Sequence, residues 1–156
     1  MSTTVQLNVN GRAEVLRTEP TDTLLDALRR ELRLTSVREA CEIGVCGSCT
    51  VLLDGRPISS CLVLARLAEG LSIETVEGLA DGDDLHPIQQ AFVDHTAFQC
   101  SYCTPGFILT AKALLAENPR PTADEVRHYL AGNLCRCGSY RNIEEAVLDA
   151  AERLGG

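Results

Sequence analysis

Apolar and polar residues alternate along the start of the chain. Val5, Leu7 and Val9 are separated by Gln6 and Asn8, the period of a strand with one buried face. Asn10-Gly11 is a two-residue hairpin signal, and residues 13–17 return as a second strand. Pro20 breaks the alternation, and from Thr23, which can cap a helix, the period changes. Leu24, Leu25, Leu28 and Leu32 make one apolar stripe of a helix running to about Leu32, with Arg29, Arg30 and Glu31 facing water. A non-repetitive segment follows. Residues 50–53 then read as a short buried strand, Asp54-Gly55 as a turn and residues 58–62 as the return strand. Alternation at residues 71–76 predicts one more strand. A hairpin, one helix and further strands make an α+β unit of the β-grasp kind, complete by about Gly78.

Beyond that point the strand signals vanish. Residues 78–84 are polar and Gly-rich, which places a domain boundary there and divides the chain into 1–79 and 80–156. Pro87 suits the first turn of a helix reaching about Ala97. A second helix is expected from about Phe107 to Glu117, where Asn118-Pro119 stops it. Thr122 and Glu125 form a capping box that opens a third helix to about Leu130. Asn142 is read as the cap of a fourth, which carries Ile143, Val147 and Leu154 inward. The second half is thus a small four-helix bundle with short connections, and the two halves show no internal repeat.

Composition narrows the function. The 156 residues suit one ordinary domain or two small ones, and 45% hydrophobic content supports a packed core. A net charge of −8 is the wrong sign for coating a phosphate backbone, and 4% aromatics with no Trp leave little for base stacking. Nucleic acid is therefore not an expected partner. No stretch approaches the length of a membrane span, and the first residues lack a signal peptide's basic and apolar regions. A cytoplasmic location is expected, where thiols stay reduced. Eight cysteines in such a chain point to metal; the even count would also allow four disulfides, but nothing signals secretion.

Three of those cysteines lie within nine residues. Cys41, Cys46 and Cys49 have the spacing C-x4-C-x2-C, and Cys61 follows after a gap of eleven residues. This is the plant-type [2Fe–2S] ligand arrangement, with one loop around the cluster and a distant cysteine closing the cage. Gly44 and Gly47 fall where backbone must pass close to bridging sulfides and a positive φ is needed. A structural zinc site usually presents two C-x2–4-C knuckles across a longer gap, so three ligands from one loop suit a two-iron centre better. The other four, Cys100, Cys103, Cys135 and Cys137, read as C-x2-C and, after thirty-one residues, C-x-C. Alone they fit zinc or a cluster. They lie before the second helix and between the third and fourth, so both loops can meet at one end of a bundle. Gly106, Gly132 and Gly138 would let backbone N–H groups approach the sulfurs, which stabilises thiolate charge and raises a cluster's potential.

At these residues a family becomes visible. Residues 41–50, the run Gln99-Cys100-Ser101-Tyr102-Cys103-Thr104-Pro105-Gly106 and the run Gly132-Asn133-Leu134-Cys135-Arg136-Cys137 resemble the small iron–sulfur subunit of the molybdenum hydroxylases. That is the xanthine oxidase and aerobic carbon monoxide dehydrogenase family. The resemblance covers nearly the whole chain and all eight ligand positions. It implies a β-grasp, plant-type ferredoxin-like domain holding an outer [2Fe–2S] cluster nearer the flavin. It also implies a helical domain holding an inner cluster nearer the molybdenum. Electrons would pass from a molybdopterin cofactor on a large subunit through both clusters to FAD on a medium subunit. The assembly implied is a heterotrimer or a dimer of heterotrimers. Carried over, Cys100, Cys103, Cys135 and Cys137 bind the inner cluster, and Gln99 hydrogen-bonds the pterin. Two positions depart from the family pattern: Gly138-Ser139-Tyr140 replaces Thr-Gly-Tyr, and Ser101 stands where many relatives have Gly.

Other chemistry-bearing residues fit plainer roles. His86, His95 and His128 are not at ligand spacing to a cysteine and read as capping or surface residues. Asp81, Asp83 and Asp84 lack the remaining ligands of a calcium loop and read as a solvated linker. No Gly-rich nucleotide motif is present, so FAD, NAD and ATP are not expected on this chain. Arg136 and Arg141 flank the second cysteine loop and suit either an anionic cofactor or ion pairs. A freestanding ferredoxin-type carrier and a zinc-binding interaction module are the rival readings.

Overall fold

A computed structural model describes residues 2–155. Strands β1 (Thr3–Val9) and β2 (Arg12–Thr18) pair antiparallel, from Thr3 opposite Thr18 to Val9 opposite Arg12. Asn10 and Gly11 both have positive φ, +51° and +76°, as a twisted two-residue hairpin turn requires. Val5, Leu7 and Val9 point into the core. Helix α1 (Leu24–Arg30) opens with a reciprocal box in which Thr23 caps the Asp26 N–H and the Asp26 carboxylate accepts from the Thr23 N–H. It ends before the expected Leu32, and Arg33 takes a φ of +56°. Arg29 does not simply face water: its guanidinium donates to the Val37 carbonyl at 2.8 Å.

Strands β3 (Thr50–Leu53), β4 (Arg56–Ser59) and β5 (Ser72–Glu74) complete a five-stranded sheet in the order β2-β1-β5-β3-β4. Only β1 and β5 run parallel. The return strand stops at Ser59, short of Leu62, because residues 60–62 coil into a 3-10 turn. The Ser60 hydroxyl donates to the Cys49 carbonyl at 2.7 Å, which swings Cys61 back towards the first cysteine loop.

The helical half holds α2 (Pro87–Asp94), α3 (Thr104–Glu117), α4 (Ala123–Tyr129) and α5 (Tyr140–Leu154). α2 is capped by His86, whose Nδ1 accepts from the Ile88 N–H, and it stops short of Ala97, where Thr96 turns at φ +48°. α3 begins at Thr104 rather than Phe107, since Pro105 is at home in a first turn. α4 keeps its Thr122–Glu125 box. α5 starts at Tyr140, not behind an Asn142 cap; Asn142 instead donates to the His95 carbonyl at 3.0 Å. Its buried stripe is Ile143, Ala146, Val147, Ala150 and Ala151, whereas Leu154 is exposed. Among the described residues no helix is long and apolar enough to cross a membrane.

The sheet buries both faces. One covers α1. On the other, Leu52 of β3 packs against Leu109 and Ala113 of α3, and Lys112 pairs with Glu74 of β5 at 2.8 Å. Burying a leucine is worth about 2 kcal/mol, so α3 belongs to both halves.

Candidate metal centres

The first cysteine loop is built from backbone that ordinary residues avoid. Glu42, Gly44 and Gly47 have φ of +55°, +76° and +69°. These left-handed turns point successive N–H groups inward, the geometry of an anion nest. The N–H groups of Ile43, Val45 and Cys46 donate to the Cys41 sulfur, and that of Ser48 reaches the Cys46 sulfur at 3.5 Å. Ile43's donation, helped by the Cys46 thiol, pulls the Cys41 thiol down to about 6. Cys61 moves the other way, to about 11, through burial and the neighbouring Cys49. Thiol hydrogen bonds pair Cys41 with Cys46 and Cys49 with Cys61.

The second quartet is assembled at helix ends. Cys103 occupies the cap position of α3, while Cys135 and Cys137 lie in the loop leading to α5. Here the pairs are Cys100 with Cys137 and Cys103 with Cys135. Burial pushes Cys103 up to about 12, more than the dipole at the α3 N-terminus can offset. The exposed Cys100 is lowered by the Tyr102 N–H. At Cys135 burial is outweighed by donation from Ser139, whose N–H lies 3.4 Å from the sulfur, and the thiol is lowered. Ser101 adopts φ +63°, the conformation that explains a glycine at this place in the family pattern. Gly138, at φ +82°, supplies a further N–H to Cys135.

All eight cysteines are free, and the structure brings them together as two groups of two pairs. Among the described residues no three side chains converge as they would on a single ion. Paired thiols ringed by N–H donors fit a two-iron cluster, whose charge is negative and whose sulfurs need donors. Beside the second quartet the hydroxyl of Thr104 is buried without a partner among the described residues, and the Ser139 side chain supports the Cys135 sulfur.

The two loops are fastened to each other. Leu134 donates its N–H to the Cys46 carbonyl at 2.9 Å, and the Asn133 side chain donates to the Gly47 carbonyl at 3.0 Å. A Cβ on Gly106 would lie 2.2 Å from the Gly47 oxygen, so Gly106 makes room for the first loop rather than for sulfur. Gly132 meets nothing at its own Cβ position; instead its carbonyl lies 2.7 Å from where a Gly47 Cβ would stand. Tyr102 donates to the Glu39 carbonyl, and the Arg38 guanidinium lies 5.4 Å from the Tyr102 ring. Asn133 and Gly106 escaped sequence reading as joining residues.

Gln99 is exposed beside Cys100, with its amide 3.4 Å from the Cys137 carbonyl. Ile43, Val45 and Leu62 stand exposed around the first loop. The three aspartates lie in an exposed turn closed between Asp81 and Asp84. His95 pairs with Asp149 at 2.9 Å, His128 is exposed on α4, and Arg141 pairs with Glu145.

Known proteins share this arrangement. Residues 7–78 match the 2Fe-2S iron-sulfur cluster binding domain, and residues 75–148 match the [2Fe-2S] binding domain. The small subunit of nicotine 6-hydroxylase from Paenarthrobacter nicotinovorans is 49% identical, over 97% of this chain and 91% of its own length. The crystal structure of quinoline 2-oxidoreductase from Pseudomonas putida 86 superposes with a TM-score of 0.94 at 49% identity, covering 99% of this chain and 98% of that one. The chain belongs to the small iron–sulfur subunits of the molybdenum hydroxylases. In the aldehyde oxidoreductase of Desulfovibrio desulfuricans the same fold, at TM-score 0.93 and 47% identity, takes up 17% of a longer chain. As a member of this family the subunit carries electrons within a multi-subunit oxidoreductase.

Proposed function

We propose that Cys41, Cys46, Cys49 and Cys61 hold an outer [2Fe–2S] cluster, and that Cys100, Cys103, Cys135 and Cys137 hold an inner one. The observation that carries this reading is the pairing of the thiols. Each pair, Cys41 with Cys46, Cys49 with Cys61, Cys100 with Cys137 and Cys103 with Cys135, would hold one iron. When bound, each cluster accepts and releases one electron. The chain's own residues supply the rest. N–H groups of Ile43, Val45 and Ser48 in the outer loop, and of Tyr102 and Ser139 in the inner one, offset the added negative charge. Buried Cys49, Cys61 and Cys135 keep water from the ligands.

Electrons enter at the inner site from a molybdopterin cofactor on a large subunit and leave from the outer site to FAD on a medium subunit. Gln99, exposed beside Cys100, would hydrogen-bond the pterin at that interface. The assembly is a heterotrimer or its dimer, located in the cytoplasm, in keeping with eight unpaired cysteines. The domain division falls between residues 79 and 80, and the main apolar cluster of the sheet half and that of the helical half support it, with Val76 and Leu79 packing against the helical one.

The test is metal analysis and spectroscopy on the purified complex. Two clusters of two irons require four irons and four sulfides in this chain, with two distinguishable signals on reduction; bound zinc would overturn the reading. Cys137→Ser should remove one signal and slow flavin reduction by substrate while sparing the other cluster. Loss of both signals, or of neither, would count against the assignment.

A further inference from the structure

Asn133 is 5% exposed and lies two residues before Cys135. Its side chain is satisfied at both ends, as a buried amide must be. Nδ2 donates to the Gly47 carbonyl at 3.0 Å, across the boundary between the two halves. Oδ1 accepts from the buried Thr110 hydroxyl at 3.0 Å. Thr110 belongs to α3, the helix capped by Cys103, and its single hydroxyl proton is shared between Asn133 and the Gly106 carbonyl at 2.9 Å. One amide therefore touches the segment behind Cys46, the helix behind Cys103 and, through the chain, Cys135.

What this clasp holds in place is the next peptide. The Leu134 N–H donates to the Cys46 carbonyl at 2.9 Å, and Leu134 is bonded directly to Cys135. Residues 133 and 134 thus grip the two successive carbonyls of Cys46 and Gly47. There is no slack on the other side. A methyl group at Gly47 would come within 2.6 Å of Asn133 Nδ2, and one at Gly106 within 2.2 Å of the Gly47 oxygen. At the exposed surface Tyr102 also donates to the Glu39 carbonyl and lies under the Arg38 guanidinium.

We propose that Asn133 is a positioning residue for electron transfer between the clusters, fixing the Leu134 N–H···O=C Cys46 bridge through which one electron crosses from the inner site to the outer. The proposal rests on the ligand assignment above. In the step the inner cluster is oxidised by one electron and the outer reduced by one; no bond forms or breaks and no proton moves. An amide is needed because it donates to Gly47 and accepts from Thr110 at once. A carboxylate of the same shape would turn an acceptor towards the Gly47 oxygen and push the loops apart.

The experiment uses the complete complex, with iron and sulfide measured first. A wild-type complex lacking four irons in this chain overturns the ligand assignment, and this inference with it. With that content established, Asn133→Ala, Asn133→Asp and Thr110→Val are compared by two measurements. One is the magnetic splitting between the two clusters when both are reduced; the other is the rate of electron equilibration between them. In variants with full iron content the splitting should change and the rate should fall roughly tenfold, short of the hundredfold that a 1 Å misplacement costs a reacting pair. Thr110→Val, which leaves Asn133 in place but removes its restraint, should give a smaller change in the same direction. Unchanged splitting and rate in the fully loaded Asn133 variants would overturn the proposal. So would Asn133 variants that merely lose iron while a loaded Thr110→Val behaves as wild type, for then Asn133 serves stability alone.

Discussion

The two cysteine sites solve one problem by different routes. The outer site is made by a loop, whose left-handed turns aim backbone N–H groups at Cys41. The inner site is made by helix ends, where half-buried Cys103 has its thiol pushed up to about 12. A loop can organise donors locally, within nine residues. Helix ends converge only when the bundle has packed. The outer site is therefore prepared by local backbone and the inner one by tertiary structure.

The widest separation expected is in thiol reactivity. In the metal-free chain at pH 7, iodoacetamide should modify Cys41, with its thiol at about 6, well before Cys61 at about 11 or Cys103 at about 12. Thiolate fractions that far apart give rates differing by orders of magnitude, even after the lower nucleophilicity of the more acidic thiol is counted. Acidifying below pH 6 should protect Cys41; peptide mapping by mass spectrometry reads both results. Equal labelling of Cys41 and Cys103 would erase the contrast.

Glycines test whether the two sites stand or fall together. Gly106→Ala sets a methyl against backbone, 2.2 Å from the Gly47 oxygen. Helix propensity alone would favour alanine by about 1 kcal/mol, so a net loss of about 2 kcal/mol or more, seen in thermal unfolding, reports the clash. Both cluster signals should be disturbed. Gly44→Ala meets only the flexible end of Leu62, and its φ of +76° should cost about 1–2 kcal/mol. Only the outer signal should change.

The smallest effect concerns the approach to the outer loop. Glu77 accepts from the Ser36 N–H at 2.9 Å and from the Thr75 hydroxyl at 2.7 Å. Burial raises its carboxyl, but the bonds from Ser36 and Thr75 outweigh burial and hold it below the usual carboxylate range. A depressed folded pKa stabilises above the unfolded value and is lost as pH falls through the folded one. Glu77→Gln should cost about 1 kcal/mol at pH 7, allowing for partial exposure, and the gap to wild type should close in acid. Urea titrations at the two pH values would show it.

Much of this was legible in advance because the signals were local. The hairpin turn at Asn10-Gly11, the caps at Thr23 and Thr122 and the spacing of Cys41, Cys46 and Cys49 each lie within a few residues. Errors arose where a distant partner decided the outcome. Asn142 looks like a cap but is taken by the His95 carbonyl, and α5 starts two residues earlier. The return strand was read through to Leu62, yet Ser60 is drawn to the Cys49 carbonyl and the chain coils. Leu154 continues an apolar period beyond the last turn that has anything to pack against. Asn133 carried no readable signal, since its partners lie in the other domain and on another helix.

Helix α3 begins against Cys103, and its middle lies on β3, the strand that opens directly after Cys49. One rod thus measures the gap between the two centres, and every residue that sets the measure is internal to the chain. The separation is a manufacturing tolerance of the subunit itself. In the aldehyde oxidoreductase the same fold lies within a longer chain and brings its own ruler with it.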